Sequence, residues 1–141
     1  MTVIDGTDLV LGRMSSHIAK RLLNGEKIDL VNAERVVIIG REESATQKFR
    51  KRIELAQKGN PEKGPKYPRM PDKIVKLSIR GMLPFKKSRG RKAFENLKTH
   101  IGVPKELEKE NMETVEEAKK DLERQYIRMA KLSRQLGARW H

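Results

Sequence analysis

The side chains best able to do chemistry in this sequence are lysine and arginine, and they are not spread evenly. Residues 48–98 hold 17 of them against four Asp or Glu, a surplus equal to the formal net charge of the whole chain, +13. The remaining 90 residues carry 15 groups of each sign. Two clusters are densest. One is Lys48, Arg50, Lys51 and Arg52; the other is Lys86, Lys87, Arg89, Arg91 and Lys92, interrupted only by Ser88 and Gly90. Like charges this close repel one another, so a basic cluster inside a folding chain points to a polyanionic partner. Guanidinium forks and ammonium groups suit phosphate oxygens, and each such contact releases condensed counterions. A merely solvated basic face is the plainer alternative, but this block is flanked on both sides by core-forming residues. A lipid surface is the rival polyanion, and the block lacks the amphipathic helix with bulky apolar anchors that it would need.

Other chemistries find less support. Segment 6–15 follows a strand and opens a helix, as a phosphate-binding loop does. Its second glycine, Gly12, comes one residue late, Arg13 replaces the expected Lys, and Met14 replaces the Ser or Thr that would hold magnesium. A strand–helix turn is the simpler reading, with Arg13 near a helix N-terminus that can meet a backbone phosphate. A nucleotide-binding enzyme built on this loop is therefore a minor alternative. His17, His100 and His141 have no ligand partner at helical spacing, and there is no cysteine, which excludes disulfides and Cys-based zinc sites. No catalytic residue, metal, cofactor or small-molecule substrate is expected.

Among polyanions, folded RNA fits best. No recognition-helix or zinc-finger pattern is present. The six aromatic residues, Phe49, Tyr67, Phe85, Phe94, Tyr126 and Trp140, are too few for base stacking to dominate. Recognition of backbone and shape by an irregular basic surface is the expectation.

The elements that must position this charge follow from periodicity. Over residues 1–40 the pattern predicts a βαβ unit and a further strand. A strand at 2–5 is followed by a helix over about 12–24, whose Met14, Ile18 and Leu22 recur every four residues. Gly25 stands where a helix ends, and strands are expected at 28–32 and 35–39. The run Val36, Val37, Ile38, Ile39 is apolar on both faces, as in a buried parallel sheet. This part is nearly neutral and reads as scaffold. Residues 41–103 read as the basic RNA-binding part: a helix over 42–58, then an irregular segment 59–71 with four prolines and two glycines carrying Lys63, Lys66 and Arg69. Asp72 is the expected N-cap of a helix over 74–82 that carries Lys73 and Arg80. A short helix over 88–96 and a strand over 97–101 follow. Residues 104–121, with seven acidic groups and four lysines, read as a solvated helix or connector. The last 20 residues read as one basic helix, bearing Arg128 and Arg139. The whole is expected to be one domain, an α/β fold with three α/β/α layers, a small and mostly parallel sheet of about four strands, and basic extensions. The N-terminus shows no secretory signal, and the longest apolar run is too short to cross a bilayer.

The run Ile79-Arg80-Gly81-Met82-Leu83-Pro84, followed by Gly90-Arg91, resembles the signature of the large-subunit ribosomal protein family L-thirteen. Val3-Ile4-Asp5 and Leu11-Gly12-Arg13-Met14-Ser15-Ser16 are similar to that family's opening strand and helix, and Asp29-Leu30-Val31-Asn32-Ala33-Glu34 to its second strand and turn. Asn60-Pro61, Gly64-Pro65, Arg69 and Pro71 resemble the connector of archaeal and eukaryotic members, as does the ending Leu136-Gly137-Ala138-Arg139-Trp140. Residues 104–121 show no evident counterpart. The resemblance implies the three-layer fold, a cytoplasmic place in the large ribosomal subunit, contacts with its RNA and neighbouring proteins, and no catalysis. It implies neither a membrane partner nor a homo-oligomer. A free RNA-binding regulator of translation is the alternative within the same chemistry. Within the signature, Gly81 and Gly90 are expected to allow tight or positive-φ backbone and Pro84 to end the preceding helix. Arg80, Arg89 and Arg91 are expected to fork onto phosphates, with Met82 and Leu83 as buried anchors.

Overall fold

The structure, a computed structural model, describes residues 2–55, 67–120 and 123–140. The expected βαβ unit is present. Strand β1 (Thr2–Asp5) leads through helix α1 (Leu11–Leu23) to strand β2 (Ile28–Val31), which lies parallel to β1 with Val3 opposite Asp29. Met14, Ile18 and Leu22 of α1 are all buried, as their spacing demands. Gly25 has φ +90°, the left-handed geometry that lets the chain leave the helix for β2.

Beyond β2 the structure departs from the sequence expectation. Asn32 takes a left-handed conformation (φ 56°), and a short 3-10 turn over Ala33–Arg35 carries the chain off the sheet. Strand β3 (Val37–Ile39) therefore does not join the parallel sheet. Its apolar residues are covered instead by the C-terminal part of the chain.

Helix α2 (Glu42–Glu54) turns Ala45 into the core, with Phe49 and Ile53 packed partly against it. The expected continuation to 58 lies outside the described residues, as do Lys63 and Lys66. Helix α3 (Pro71–Gly81) starts earlier than expected. Met70 is its N-cap and Pro71 its first residue, a place where the missing proline N–H costs nothing. Asp72 thus lies in the first turn and is not the cap. Helix α4 (Ser88–Glu95) leads directly into strand β4 (Leu97–Thr99).

Strand β4 pairs with β2, and strand β5 (Met112–Glu113) pairs with β1, which gives a four-stranded parallel sheet of order β4-β2-β1-β5. The acidic stretch is therefore part of the fold rather than a connector. It supplies an edge strand, a 3-10 turn over Glu116–Ala118, and the buried residues Leu107, Val115 and Ala118. Sparse apolar residues among charges conceal such a segment from periodicity.

The expected C-terminal helix also divides. Strand β6 (Tyr126–Arg128) pairs antiparallel with β3, placing Ile38 opposite Ile127, and helix α5 (Met129–Gln135) follows. Met129, Leu132 and Leu136 are buried, so the spacing in that half is helical.

Among the described residues, five helices and the parallel sheet make an α/β fold consistent with three α/β/α layers. The strands alternate as buried strands must. Ile4, Ile28, Leu30 and Leu97 join the main core with α1, α3, α4 and α5, while Val3 and Val31 face Leu107, Val103 and Met112.

Candidate nucleic-acid interface

The signature run is built as a locked turn between α3 and α4. Main-chain bonds fold it tightly: Leu83 N–H donates to the Arg80 carbonyl (3.1 Å), Phe85 N–H to Leu83 (2.8 Å) and Lys87 N–H to Pro84 (2.9 Å). Leu83 is buried and anchors the turn, whereas Met82 is 44% exposed and does not. Met82 ends the helix on its outer side, so it points away from the core. Neither Gly81 nor Gly90 has positive φ among the described residues. Gly90 is required for a different reason: a Cβ there would clash with the Pro84 carbonyl oxygen. Helix α4 therefore lies directly against the turn. At Gly81 a Cβ would meet nothing within 4 Å.

Aromatic rings brace the turn. Phe85 meets Phe94 edge-to-face with centroids 5.5 Å apart, and the Arg80 guanidinium lies 4.1 Å above the Phe85 ring. Arg91 Nε donates to the Phe85 carbonyl (3.1 Å). Lys86 and Lys87 are left exposed at the tip, and Arg89, Arg91 and Lys92 on the exposed side of α4. Across from them, α2 presents Lys48, Arg50, Lys51 and Arg52, with the Arg52 guanidinium 5.2 Å from the Phe49 ring centre.

Lys48 and Arg52 share one groove with Arg80, Lys86 and Lys87, so the two dense sequence clusters meet in space. Arg41 joins them there, although it lies outside the 48–98 charge block and is not among the expected RNA contacts. Its position one residue before the helix that carries Lys48 and Arg52 is the only sequence signal for it.

The remaining expected residues are dispersed. Arg69 and Lys73 are exposed before and at the start of α3, and Arg139 is exposed near the C-terminus. Arg13 lines a separate small cleft with Ser16, His17 and Lys20. Arg50 donates through Nη2 to the Gln135 carbonyl (3.2 Å), tying α2 to α5. Arg128 is committed to the fold. Its Nη2 lies 2.7 Å from Asp8 Oδ1 and its Nη1 donates to the Arg35 carbonyl (3.2 Å).

Charge pairing separates scaffold from surface. Among the described residues, every ion pair lies outside 48–98; examples are Arg21 with Glu26 and Glu113, Lys131 with Glu42, and Arg128 and Lys120 with Asp8. The Arg128 guanidinium beside it holds the Asp8 carboxyl below its usual range, against a smaller opposing effect of burial. Lys131, aided by Gln135, does the same for Glu42. Among its described residues the basic block has no such internal neutralisation.

The first half of the 6–15 loop is closed to phosphate. The amides there are used internally: Gly6 N–H donates to Val31, Asp8 to Arg35, Leu9 to Gly6 and Val10 to Ala118. Leu9 is fully buried, and a Cβ on Gly6 would come within 2.9 Å of Val36. A phosphate cradle needs a run of free amides, which the 6–10 turn does not offer.

Comparison with known proteins places the chain in a family. Residues 1–106 match the family model described as ribosomal protein L13. A large ribosomal subunit protein uL13 of Methanosphaera stadtmanae is 43% identical over 141 residues, covering 99% of both chains. That of Archaeoglobus fulgidus is 45% identical over 98% of this chain and 88% of its own. That of Methanocaldococcus jannaschii is 44% identical over 99% of this chain and all of its own. These relatives extend through the acidic stretch and the C-terminal helix, and they are ribosomal proteins rather than enzymes. With the signature turn, the parallel sheet and full-length relatives in agreement, the chain belongs to the ribosomal protein L13 family.

Proposed function

We propose that this protein is a structural constituent of the large ribosomal subunit that binds and helps to fold its ribosomal RNA, chiefly through the sugar–phosphate backbone. One observation carries the reading: 17 basic residues lie in a block whose described members form no ion pair, while the rest of the chain neutralises itself. An uncompensated surface of that kind is completed by phosphates. The family membership supports the same partner, and the names of the relatives support a place in the large subunit, hence in the cytoplasm. Neighbouring ribosomal proteins would cover part of the remaining surface. No helix among the described residues is long and apolar enough to cross a membrane.

The residues assigned to RNA are Lys48, Lys51, Arg52, Arg80, Lys86, Lys87, Arg89, Arg91 and Lys92, with Arg13, Arg69, Lys73 and Arg139 as outlying contacts. Arg50 and Arg128 serve packing first. Sedimentation of a cell extract tests the reading: the protein is expected to travel with the large subunit and to leave it in high salt. Sedimentation as a free protein at low salt would support a free RNA-binding regulator instead.

A further inference from the structure

Between α2, α3 and the 82–87 turn lies a groove of about 1150 Å³. Three of the six aromatic residues of the chain, Phe49, Tyr67 and Phe85, line it, together with Ile53, Ile74 and Leu77. Six cations, Arg41, Lys48, Arg52, Arg80, Lys86 and Lys87, also line it, and none of its described lining residues is a carboxylate. Two guanidinium groups already lie over two of the rings, at 5.2 Å and 4.1 Å. A duplex backbone needs the cations but has no use for an apolar floor. An apolar partner needs the floor but is not helped by six positive charges.

We infer that this groove receives an unpaired nucleobase of the bound RNA, with the phosphates on either side held by the cationic rim. A base offers flat apolar faces that stack on aromatic rings and on guanidinium planes, and its own backbone supplies the anions. The occupant is thus chosen by charge complementarity and by continuity with the proposed RNA surface. The inference rests on the RNA-binding reading. It adds a specificity that backbone contacts lack, a preference for RNA with a looped-out nucleotide over an uninterrupted duplex of equal charge.

Gly81 gives access to the site, because it lines the groove and a Cβ there meets nothing within 4 Å. The chain has no cysteine, so Gly81→Cys provides one attachment point for a photo-cross-linker. The full-length protein should bind a single-nucleotide-bulge RNA at least about tenfold more tightly than the matching perfect duplex, in line with the worth of one stacked base. Gly81→Trp, which fills the groove, should erase that preference with an unchanged melting temperature. In large subunits carrying labelled Gly81→Cys, the cross-link should fall on an unpaired RNA nucleotide. If the wild-type chain binds both RNAs equally and Gly81→Trp changes neither, the base site is wrong while RNA binding stands. Cross-links to a neighbouring protein, an acidic peptide segment, or the chain's own 56–66 would also overturn it. If the wild-type chain binds no RNA at low salt, the functional reading itself fails and this inference with it.

Discussion

Lys87 and Arg89 sit a few residues from Gly90 and do entirely different work. Lys87 and Arg89 are exposed and without an ion-pair partner among the described residues, so replacing both with Gln should weaken RNA binding and leave the melting temperature within a degree or so. The slope of log affinity against log salt should become shallower by about 1.5, since each lost phosphate contact removes about 0.7–0.9. A large loss of thermal stability would instead make them structural. Gly90 is the reverse case. Gly90→Ala forces a methyl into the Pro84 carbonyl and should cost about 1–3 kcal/mol, measured by denaturant unfolding. Gly81→Ala, with open space around it, should be neutral or gain up to about 1 kcal/mol from its helical position. The sequence indicates both glycines as special but supplies no way to tell them apart. Close approach between a helix and a turn six residues before it is a packing fact, whereas a charge run is read directly from the sequence.

At the scale of elements, α1 and the first two strands are legible because one residue in every four, or every two, faces a core on one side. Strand β3 misleads because four apolar residues in a row look the same beneath a parallel sheet as beneath a hairpin-like pair. The acidic stretch misleads more deeply. Leu107, Val115 and Ala118 are isolated among charges, and only their burial shows that Leu107 closes the second face of the sheet while Val115 and Ala118 join the main core. Leu107→Ala should therefore cost about 2–3 kcal/mol, although it lies in what reads as a solvated connector. The joint between β6 and the 6–15 loop gives a pH-dependent prediction. The folded Asp8 carboxyl is held below its ordinary, unfolded value, so the unfolded state takes up protons first as pH falls. Its stabilisation is complete above that value and is lost as pH drops through the lower folded one. Asp8→Asn should remove this part of the acid destabilisation, by less than about 1 kcal/mol because the pair is partly exposed to solvent. Equal acid sensitivity of the two proteins in thermal melts would contradict the assignment.

The whole molecule is a self-neutralised α/β scaffold that holds out an unneutralised basic face. Composition already implies the partner class, since the net charge equals the surplus of one block. What it leaves undetermined is which cations converge. Folding brings α2, α3 and the 82–87 turn around one groove, adds Arg41 to it, and withdraws Arg128 into an ion pair with Asp8. The same rearrangement gathers half of the scarce aromatics where the charge is densest, which counting them along the chain conceals. The most direct test is the salt dependence of full-length protein binding to large-subunit RNA. With six or more cations on phosphates, log affinity should fall against log salt with a slope of about −4 or steeper. A slope near zero, or equal affinity for unrelated RNA across the series, would contradict a phosphate-docking surface shaped for this RNA.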